Sequence, residues 1–434
     1  MKSFVASENG YSDPLLFGGL TAGLFFYLFP VLFIPVGLPL ALVAYTIFGL
    51  LWARRPIVVP LNAAPFGIAA CLFLIATYAG LVTTLRGTND LTFATQMAKV
   101  AILYLGSGFL IGIICVSLRA PSAFDILIRA FVICCLIQAG FIAMSIASVQ
   151  FRITMDSLVL ATGNTDYLIS FRVRGFSASG GAALGLNQAI GVLSALYLLT
   201  NTKNSNYFYV ALAIWIPTFF VARTGFFVGA AFLLLYLLSF KRILFFVKTA
   251  FFRPTRLIGT ALIVATMAVV LLNFDDFFDA EAKERVELAV RWGLELFLNS
   301  QSGNAETETT NALLEMLVIP NEPSFFLFGF GVFDSGAFGY ERTDSGYLKT
   351  WYSSGIIGVL ALYFVLFSAL LRTAWRYNSP NFKIYITLVV ITMAAAEIKE
   401  PFLYQNYLGR YMFILIGAGK VINWYERRRR NSKP

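Results

Sequence analysis

The 434-residue sequence contains no histidine and few charged residues. The missing histidine excludes a histidine general base and a histidine-ligated zinc site. Charged residues make up 13% of the chain, whereas hydrophobic residues make up 58%. A soluble globule of this composition cannot cover its apolar surface, so lipid must solvate much of it. The sequence therefore predicts a polytopic membrane protein.

Cysteine is also scarce, with four residues that all lie in apolar runs and lack the spacing of metal ligands: Cys71, Cys115, Cys134 and Cys135. No secretory peptide is evident, because the first apolar run follows the polar stretch "MKSFVASENGYSDP" and leads directly into a second run. We therefore expect the N-terminus to be retained.

The apolar runs long enough to cross about 30 Å of hydrocarbon number about twelve. They fall near 16–34, 36–52, 63–82, 98–118, 123–148, 179–199, 207–222, 224–240, 256–273, 354–371, 382–398 and 407–424. The predicted fold is an all-α bundle. Residues 1–273 would form nine helices with short loops, 274–353 one large loop containing helices, and 354–434 three helices and a basic tail.

The charges predict how this bundle is oriented. With the N-terminus inside, most of the lysines and arginines fall on the cytoplasmic face, including the run "RRRR" at 427–430. The opposite face receives an excess of aspartate and glutamate. The net charge of +10 therefore indicates contact with anionic lipid and not with nucleic acid.

The large loop carries an amphipathic pattern over 280–299, which predicts a helix that lies on the membrane or caps the bundle. The acidic cluster Asp275, Asp276 and Asp279 precedes it. These carboxylates are either ligands for a divalent metal or the exit of a helix into an acidic loop. The later "LFGFGVFDSG" lacks the surroundings of a nucleotide-binding loop, and we expect a tight turn there.

Two arginine-bearing segments lie toward the predicted exported face. Residues 167–188, "YLISFRVRGFSASGGAALGLNQ", place Arg172 and Arg174 before a span that begins with small residues. Arg223 interrupts the apolar stretch 207–240, where we expect a hairpin turn. Guanidinium groups suit phosphate oxygens, although interfacial arginines also extend simply to lipid head groups.

The last two exported segments are rich in polar side chains. "GYERTDSGYLKTWYSSGIIG", residues 339–358, contains Arg342, Asp344 and Tyr347, and "AEIKEPFLYQNYLGRYM", residues 396–412, contains Glu397 and Arg410. Asp344 is either a catalytic base or a cap of the following helix. Glu397 and Arg410 either form structural salt bridges or act on a substrate, and Glu397 lies deepest toward the membrane.

The layout resembles that of the superfamily of O-antigen polymerases and O-antigen ligases of bacterial inner membranes. Two short motifs carry the resemblance. Arg174, ten residues and then Gly185 fit an Arg-x10-Gly pattern of the polymerases. Asp344, Ser345, nine residues, Gly355 and Gly358 fit a ligase pattern in which histidine occupies the aspartate position.

The resemblance implies a GT-C-like bundle that acts at the periplasmic face without a nucleotide sugar, a metal or another cofactor. Its substrates would be undecaprenyl-diphosphate-linked oligosaccharides, which it would join into O-antigen, capsule or exopolysaccharide. Asp344 or Glu397 would be catalytic. The substrate would be bound by Arg172, Arg174, Arg223, Arg342, Tyr347 and Arg410. A chain-length regulator and a flippase are the implied protein partners.

Three other functions remain open. A ligase that moves finished polymer onto lipid A core would need a base in place of the missing histidine. A flippase or other transporter would need charges along a path that is open to both faces, whereas the buried charges here cluster toward one face. A structural partner in an envelope assembly would not need an arginine inside an apolar run.

Overall fold

The computed structural model describes residues 14–29, 64–118, 122–159, 173–177, 181–238, 320, 322–333, 343, 345–377, 379–399, 401–402 and 408–431. Across these ranges the chain is helical and forms no strand, which confirms the all-α prediction there. The helices are α1 (Pro14–Leu28), α2 (Phe66–Arg86), α3 (Thr92–Ser117), α4 (Ala123–Ala147), α5 (Val149–Val159), α6 (Ala182–Thr202), α7 (Asn206–Thr218), α8 (Arg223–Leu237), α9 (Pro323–Phe328), α10 (Gly346–Arg376), α11 (Pro380–Ala396) and α12 (Leu408–Asn431).

Five of these helices, α2, α3, α4, α6 and α10, are long and apolar enough to cross a membrane. The helices α1, α8 and α11 are shorter and also apolar. The predicted spans 36–52 and 256–273 lie outside the described residues, as do the predicted helix over 280–299 and the acidic cluster of Asp275, Asp276 and Asp279. The membrane character is thus supported, whereas the total of twelve spans and the face assigned to each loop stay predictions.

The helices form two compact units. Unit 1 comprises residues 1–28, 34–130 and 306–434, and unit 2 comprises residues 29–33 and 131–305. Helix α4 contributes its first turns to unit 1 and its remainder to unit 2.

The centre of unit 1 is a close contact between α3 and α12. A Cβ added at Gly108 would meet the backbone of Phe413 and Ile414, and a Cβ added at Gly417 would lie 2.8 Å from the carbonyl carbon of Gly108. Lipid provides no hydrophobic force between helices, so small residues that let backbones approach are a main source of packing energy in membranes. These glycines therefore fix α12 against α3.

Two pairs of helix ends meet in unit 1. The Gly346 amide at the start of α10 donates to the Glu397 carbonyl at the end of α11, with N and O 2.9 Å apart. At the opposite end, the hydroxyls of Ser122 and Tyr377 share a hydrogen bond of 2.8 Å. The start of α4 and the end of α10 are therefore neighbours.

Helix α10 differs from the predicted span 354–371 in two ways. It begins at Gly346, eight residues before the predicted span, and it is broken at Gly355, near the start of that span. Gly355 has φ +65° and ψ −178° inside the helix. A side chain at this position would collide with the Leu327 carbonyl, which packs directly against the break. Only glycine adopts such a conformation without strain, so Gly355 makes room for the segment that contains Leu327.

That segment, residues 322–333, contains α9 and the glycines of "GFG", and we refer to it as the aromatic turn. Its Gly329 has φ +83°, which confirms a turn here. The amides of Phe330 and Gly331 both donate to the Tyr352 carbonyl, at 2.7 and 3.0 Å. The aromatic turn is thereby bonded to the first half of α10.

The aromatic turn is also bonded to the loop between α2 and α3. The Gly331 carbonyl accepts from the hydroxyls of Thr83 and Thr88, and the Thr88 bond measures 2.6 Å. The Phe333 amide donates to the Asp90 carboxylate at 2.7 Å. Burial alone would raise the pKa of Asp90, but this bond and those from Thr92 outweigh burial and lower it.

Unit 2 is built around α6. Every residue of α6 from Ala182 to Leu199 is buried. A Cβ added at Gly191 would lie 2.8 Å from the Cys135 side chain of α4 and 3.5 Å from the Ile214 side chain of α7. A helix enclosed on all sides gives fixed positions to the groups at its ends.

Candidate functional site

The predicted site residues are distributed over both units. Unit 2 contains two of them, Arg174 and Arg223. Unit 1 contains three that the structure describes, Tyr347, Glu397 and Arg410. Three others lie outside the described residues, and their roles stay predictions: Arg172, Arg342 and Asp344.

In unit 2, the backbone brings the loop of Arg174 to the turn that precedes Arg223. The Val173 amide donates to the Phe220 carbonyl at 3.1 Å. The Gln138 side-chain amide of α4 donates to the Arg174 carbonyl at 2.7 Å. Because both bonds hold the backbone on either side of the Arg174 Cα, the position of this arginine is fixed.

Arg223 occupies the start of α8. Helix α7 ends at Thr218 and α8 begins at Arg223, which confirms the hairpin that the interrupted apolar stretch predicts. The Arg223 side chain is only 9% exposed. An arginine buried at the end of an apolar helix is costly unless it faces polar groups or a ligand.

The starts of α6 and α8 lie side by side. A Cβ added at Gly225 would collide with the backbone of Gly185, and a Cβ added at Gly185 would lie 2.8 Å from that of Ala222. The N-cap residues Gly181 and Ala222 have no side-chain acceptor for the first-turn amides. Two positive helix ends therefore meet at Arg223, and the loop that contains Arg174 is bonded to the turn before it. Such a place favours an anion.

We call this place the arginine corner; it comprises residues 173–177 and the first turns of α6 and α8. Both ends of the Arg-x10-Gly motif belong to this corner. Its arginine belongs to the loop at the corner, while its glycine, Gly185, allows α8 to approach α6. The two ends of the motif thus serve one local structure.

Three buried amide side chains lie next to the corner, and none of them is among the predicted site residues. Gln138, Asn187 and Gln188 have no exposed surface. Among the described residues, both polar atoms of Asn187 and of Gln188 lack a hydrogen-bond partner, as does the side-chain oxygen of Gln138. The signal was available, because "NQ" is a polar pair inside an otherwise apolar helix.

The polar groups of unit 1 form a different arrangement, which we call the glutamate corner. Glu397 is fully buried, and the Tyr363 hydroxyl donates to its Oε2 atom at 3.1 Å. The Tyr347 hydroxyl donates to the Ala394 carbonyl at 2.9 Å. The Tyr347 and Tyr363 rings lie 4.6 Å apart.

The start of α10 completes the glutamate corner. The N-cap residue is Ser345, so the capping position considered for Asp344 is occupied by the next residue. The amides of Gly346 and Tyr347 donate to the Glu397 carbonyl, at 2.9 and 3.3 Å. The first amides of α10 and the last carbonyl of α11 thereby satisfy each other, where both would otherwise lack partners.

Arg410 is held by aromatic groups. Its guanidinium donates to the Tyr27 carbonyl and lies 5.4 Å from the centre of the Tyr27 ring and 5.3 Å from that of Tyr104. Cation–π contacts of this kind stabilise a partly desolvated guanidinium. Much of the Arg410 side chain is therefore engaged within unit 1.

No group of three or more metal-ligating side chains occurs in the described part of the chain. Comparisons of the chain with protein families, with curated proteins and with solved structures found no match.

Proposed function

We propose that this protein is a membrane glycosyltransferase that polymerises undecaprenyl-diphosphate-linked oligosaccharides at the periplasmic face of a bacterial inner membrane. The observation that carries the proposal is the arginine corner. There, Arg174, Arg223 and two helix N-termini lie together in a unit whose central helix can cross a membrane. A diphosphate at the membrane surface is an anion that matches these groups.

The corner suits the chemistry of the leaving group. An acceptor hydroxyl of the incoming repeat unit attacks the anomeric carbon of the growing glycan, and the bond from that carbon to the phosphate oxygen breaks. Undecaprenyl diphosphate leaves with the bonding electrons. The charge that develops on it is stabilised by Arg174, Arg223 and the first-turn amides of α6 and α8.

The proton of the acceptor hydroxyl needs a base. Asp344 holds this role in the proposal because of its motif spacing. Glu397 is the alternative, but its carboxyl group is fully buried and bonded to Tyr363. An acceptor hydroxyl would reach it only if the neighbouring side chains moved.

The first test is deletion of the gene in the source bacterium, followed by gel separation of surface and lipid-linked glycans. Collapse of a ladder to single repeat units supports the polymerase. Long glycan that stays on its lipid carrier would instead indicate a ligase, and single units trapped on the cytoplasmic face would indicate a flippase. An unchanged glycan pattern would contradict all three functions.

In the second test, variants of the protein are expressed in the deletion strain, and we ask which of them restore the ladder. Arg174→Ala, Arg223→Ala and Asp344→Asn should each abolish polymer at normal protein level. The matched control is Arg152→Ala. Arg152 is also a buried arginine of unit 2, it lies outside the arginine corner, and it pairs with Asp156 at 3.8 Å. The proposal fails if Arg223→Ala makes polymer, or if the control loses as much polymer at equal protein level.

A further inference from the structure

Basic residues gather in unit 1 where α10 ends. Arg372, Trp375 and Arg376 are three and four residues apart, so they share one face of α10, and all three are exposed. On the neighbouring face, Thr373 packs against Gly419 of α12. Lys420 follows directly, and its ammonium lies within electrostatic reach of both arginines.

These three cations repel one another without an acid between them. Among the described residues, none of Arg372, Arg376 and Lys420 forms an ion pair. The one acid of α12, Glu426, interacts electrostatically with Arg429, Arg430 and Asp125 instead. Like charges at close range are unfavourable, so an anion bound among them would relieve the repulsion.

Two general effects explain only part of this cluster. The negative end of the α10 dipole favours Arg376 in its last turn. The bias of basic residues toward the cytoplasmic side explains why this end of the protein is positive. Neither effect explains why Lys420, on another helix, stands beside two arginines and no acid.

The surroundings of the cluster are typical of a lipid interface. Trp375 is 72% exposed, and the Lys383 ammonium lies 5.3 Å from the centre of its ring. Leu360 and Phe364 are also largely exposed and lie on the same stripe of α10, further into the span. Tryptophan at such a boundary marks the level of lipid head groups.

We propose that Arg372, Arg376 and Lys420 bind the phosphate head group of an anionic phospholipid whose acyl chains lie along Leu360 and Phe364. A basic pocket between membrane helices is a known form of lipid-binding site. Three cations match a head group with two phosphates, such as that of cardiolipin, better than one with a single phosphate. This site is independent of the proposed function.

The test is lipid binding to the purified full-length protein, measured by native mass spectrometry. The probes are cardiolipin, phosphatidylglycerol, phosphatidylcholine and inorganic phosphate. The variant Arg372→Gln/Arg376→Gln/Lys420→Gln should bind cardiolipin at least about tenfold more weakly than the natural protein. The matched control, Arg428→Gln/Arg429→Gln/Arg430→Gln, removes the same charge from the exposed tail and should weaken cardiolipin binding much less than the cluster variant does, because the attraction of the tail to anionic lipid is diffuse.

Each other outcome overturns the proposal. Equal loss in both triple variants would mean non-specific attraction by net charge, and no loss in the cluster variant would mean that the lipid binds elsewhere. Displacement of cardiolipin by millimolar inorganic phosphate would indicate a free-phosphate site.

Thermal unfolding of the single variant Lys420→Gln provides a test that does not depend on the triple variant. Removal of this charge relieves repulsion, so the delipidated variant should have a Tm equal to or above that of the natural protein. Its gain in Tm on addition of cardiolipin should be smaller. A lower Tm together with an unchanged gain would show that Lys420 has only a structural role and would contradict the proposal.

Discussion

The arginine corner and the glutamate corner both gather polar groups at helix ends, but they differ in how the fold uses them. In the glutamate corner, the Glu397 carboxylate is bonded to Tyr363, and its carbonyl is bonded to the first amides of α10. Next to the arginine corner, Asn187 and Gln188 have no hydrogen-bond partner within the described residues. The buried polar groups of the glutamate corner are thus bonded to one another, whereas two buried amides beside the arginine corner have no partner in the described part of the chain.

This difference bears on where the proposed substrate would bind. A buried amide without a partner costs stability, since it loses its bonds to water and gains none in return. In an apolar helix such a cost is usually associated with a role in binding. The comparison therefore favours the arginine corner as the place of binding and the glutamate corner as a joint between α10 and α11.

The largest expected effect is that of Arg223→Ala. Loss of one preorganised group that stabilises developing charge lowers a rate by about a hundredfold or more, so polymer formation should fall at least this far while the Tm changes little. The measurement is repeat-unit transfer by purified protein in vesicles, with Tm determined in parallel. Arg223→Lys should restore only part of the rate, because an ammonium lacks the planar fork of the guanidinium.

A large drop in the Tm of Arg223→Ala would contradict this difference between the two corners, because Arg223 would then be a structural residue like those of the glutamate corner.

Gly346→Ala should damage the glutamate corner through packing. The added Cβ would collide with the Glu397 carboxyl group and would lie 2.7 Å from the Pro401 Cα. Overpacking of this kind costs about 1–3 kcal/mol, which should appear as a lower Tm. The control is Gly106→Ala, because a Cβ there meets no atom within 4 Å. An equal Tm in both variants would show that the glutamate corner accommodates the added methyl group and is not a rigid joint.

The link between the aromatic turn and the α2–α3 loop should respond to acid. The pKa of Asp90 is lowered in the folded protein, so its contribution to stability is present above the usual aspartate pKa of about 3.9. That contribution is lost as the pH falls through the lower folded pKa. We expect Asp90→Ala to cost about 1 kcal/mol at neutral pH and to flatten the acid limb of the Tm profile.

Asp90→Asn retains an acceptor for the Phe333 amide but has no charge to titrate. It should therefore lose the pH dependence while keeping part of the stability. If the natural protein and Asp90→Asn show the same acid limb, Asp90 does not control this transition.

The sequence predicts these corners to different degrees. Within the described residues, most of the long hydrophobic runs coincide with helices, and Arg223 predicts its own hairpin because a charge interrupts the run. The break at Gly355 was not predicted, since a glycine in an apolar run is also compatible with a continuous helix. It depends on the Leu327 carbonyl, a tertiary contact that the local pattern does not contain.

The partners of Glu397 show the same limit. Its position suggested proton chemistry, and its sequence neighbours suggested salt bridges. One partner of its carboxyl group is Tyr363, 34 residues away along the chain. A residue's neighbours in sequence predict its exposure better than they predict its hydrogen bonds.

The smallest expected effect, that of Glu397→Gln, sharpens the comparison most. The glutamine carbonyl can still accept from Tyr363, and the backbone bonds to Gly346 and Tyr347 do not depend on the side chain. Stability should therefore change by less than about 1 kcal/mol, and polymer formation should stay within about twofold of the natural protein, as expected for a residue outside the catalytic machinery.

Loss of polymer at normal Tm would make Glu397 catalytic and would move the base from Asp344 to the glutamate corner. Asp344→Asn, measured beside it, distinguishes the two assignments, because only the true base should lose its rate when its charge is removed.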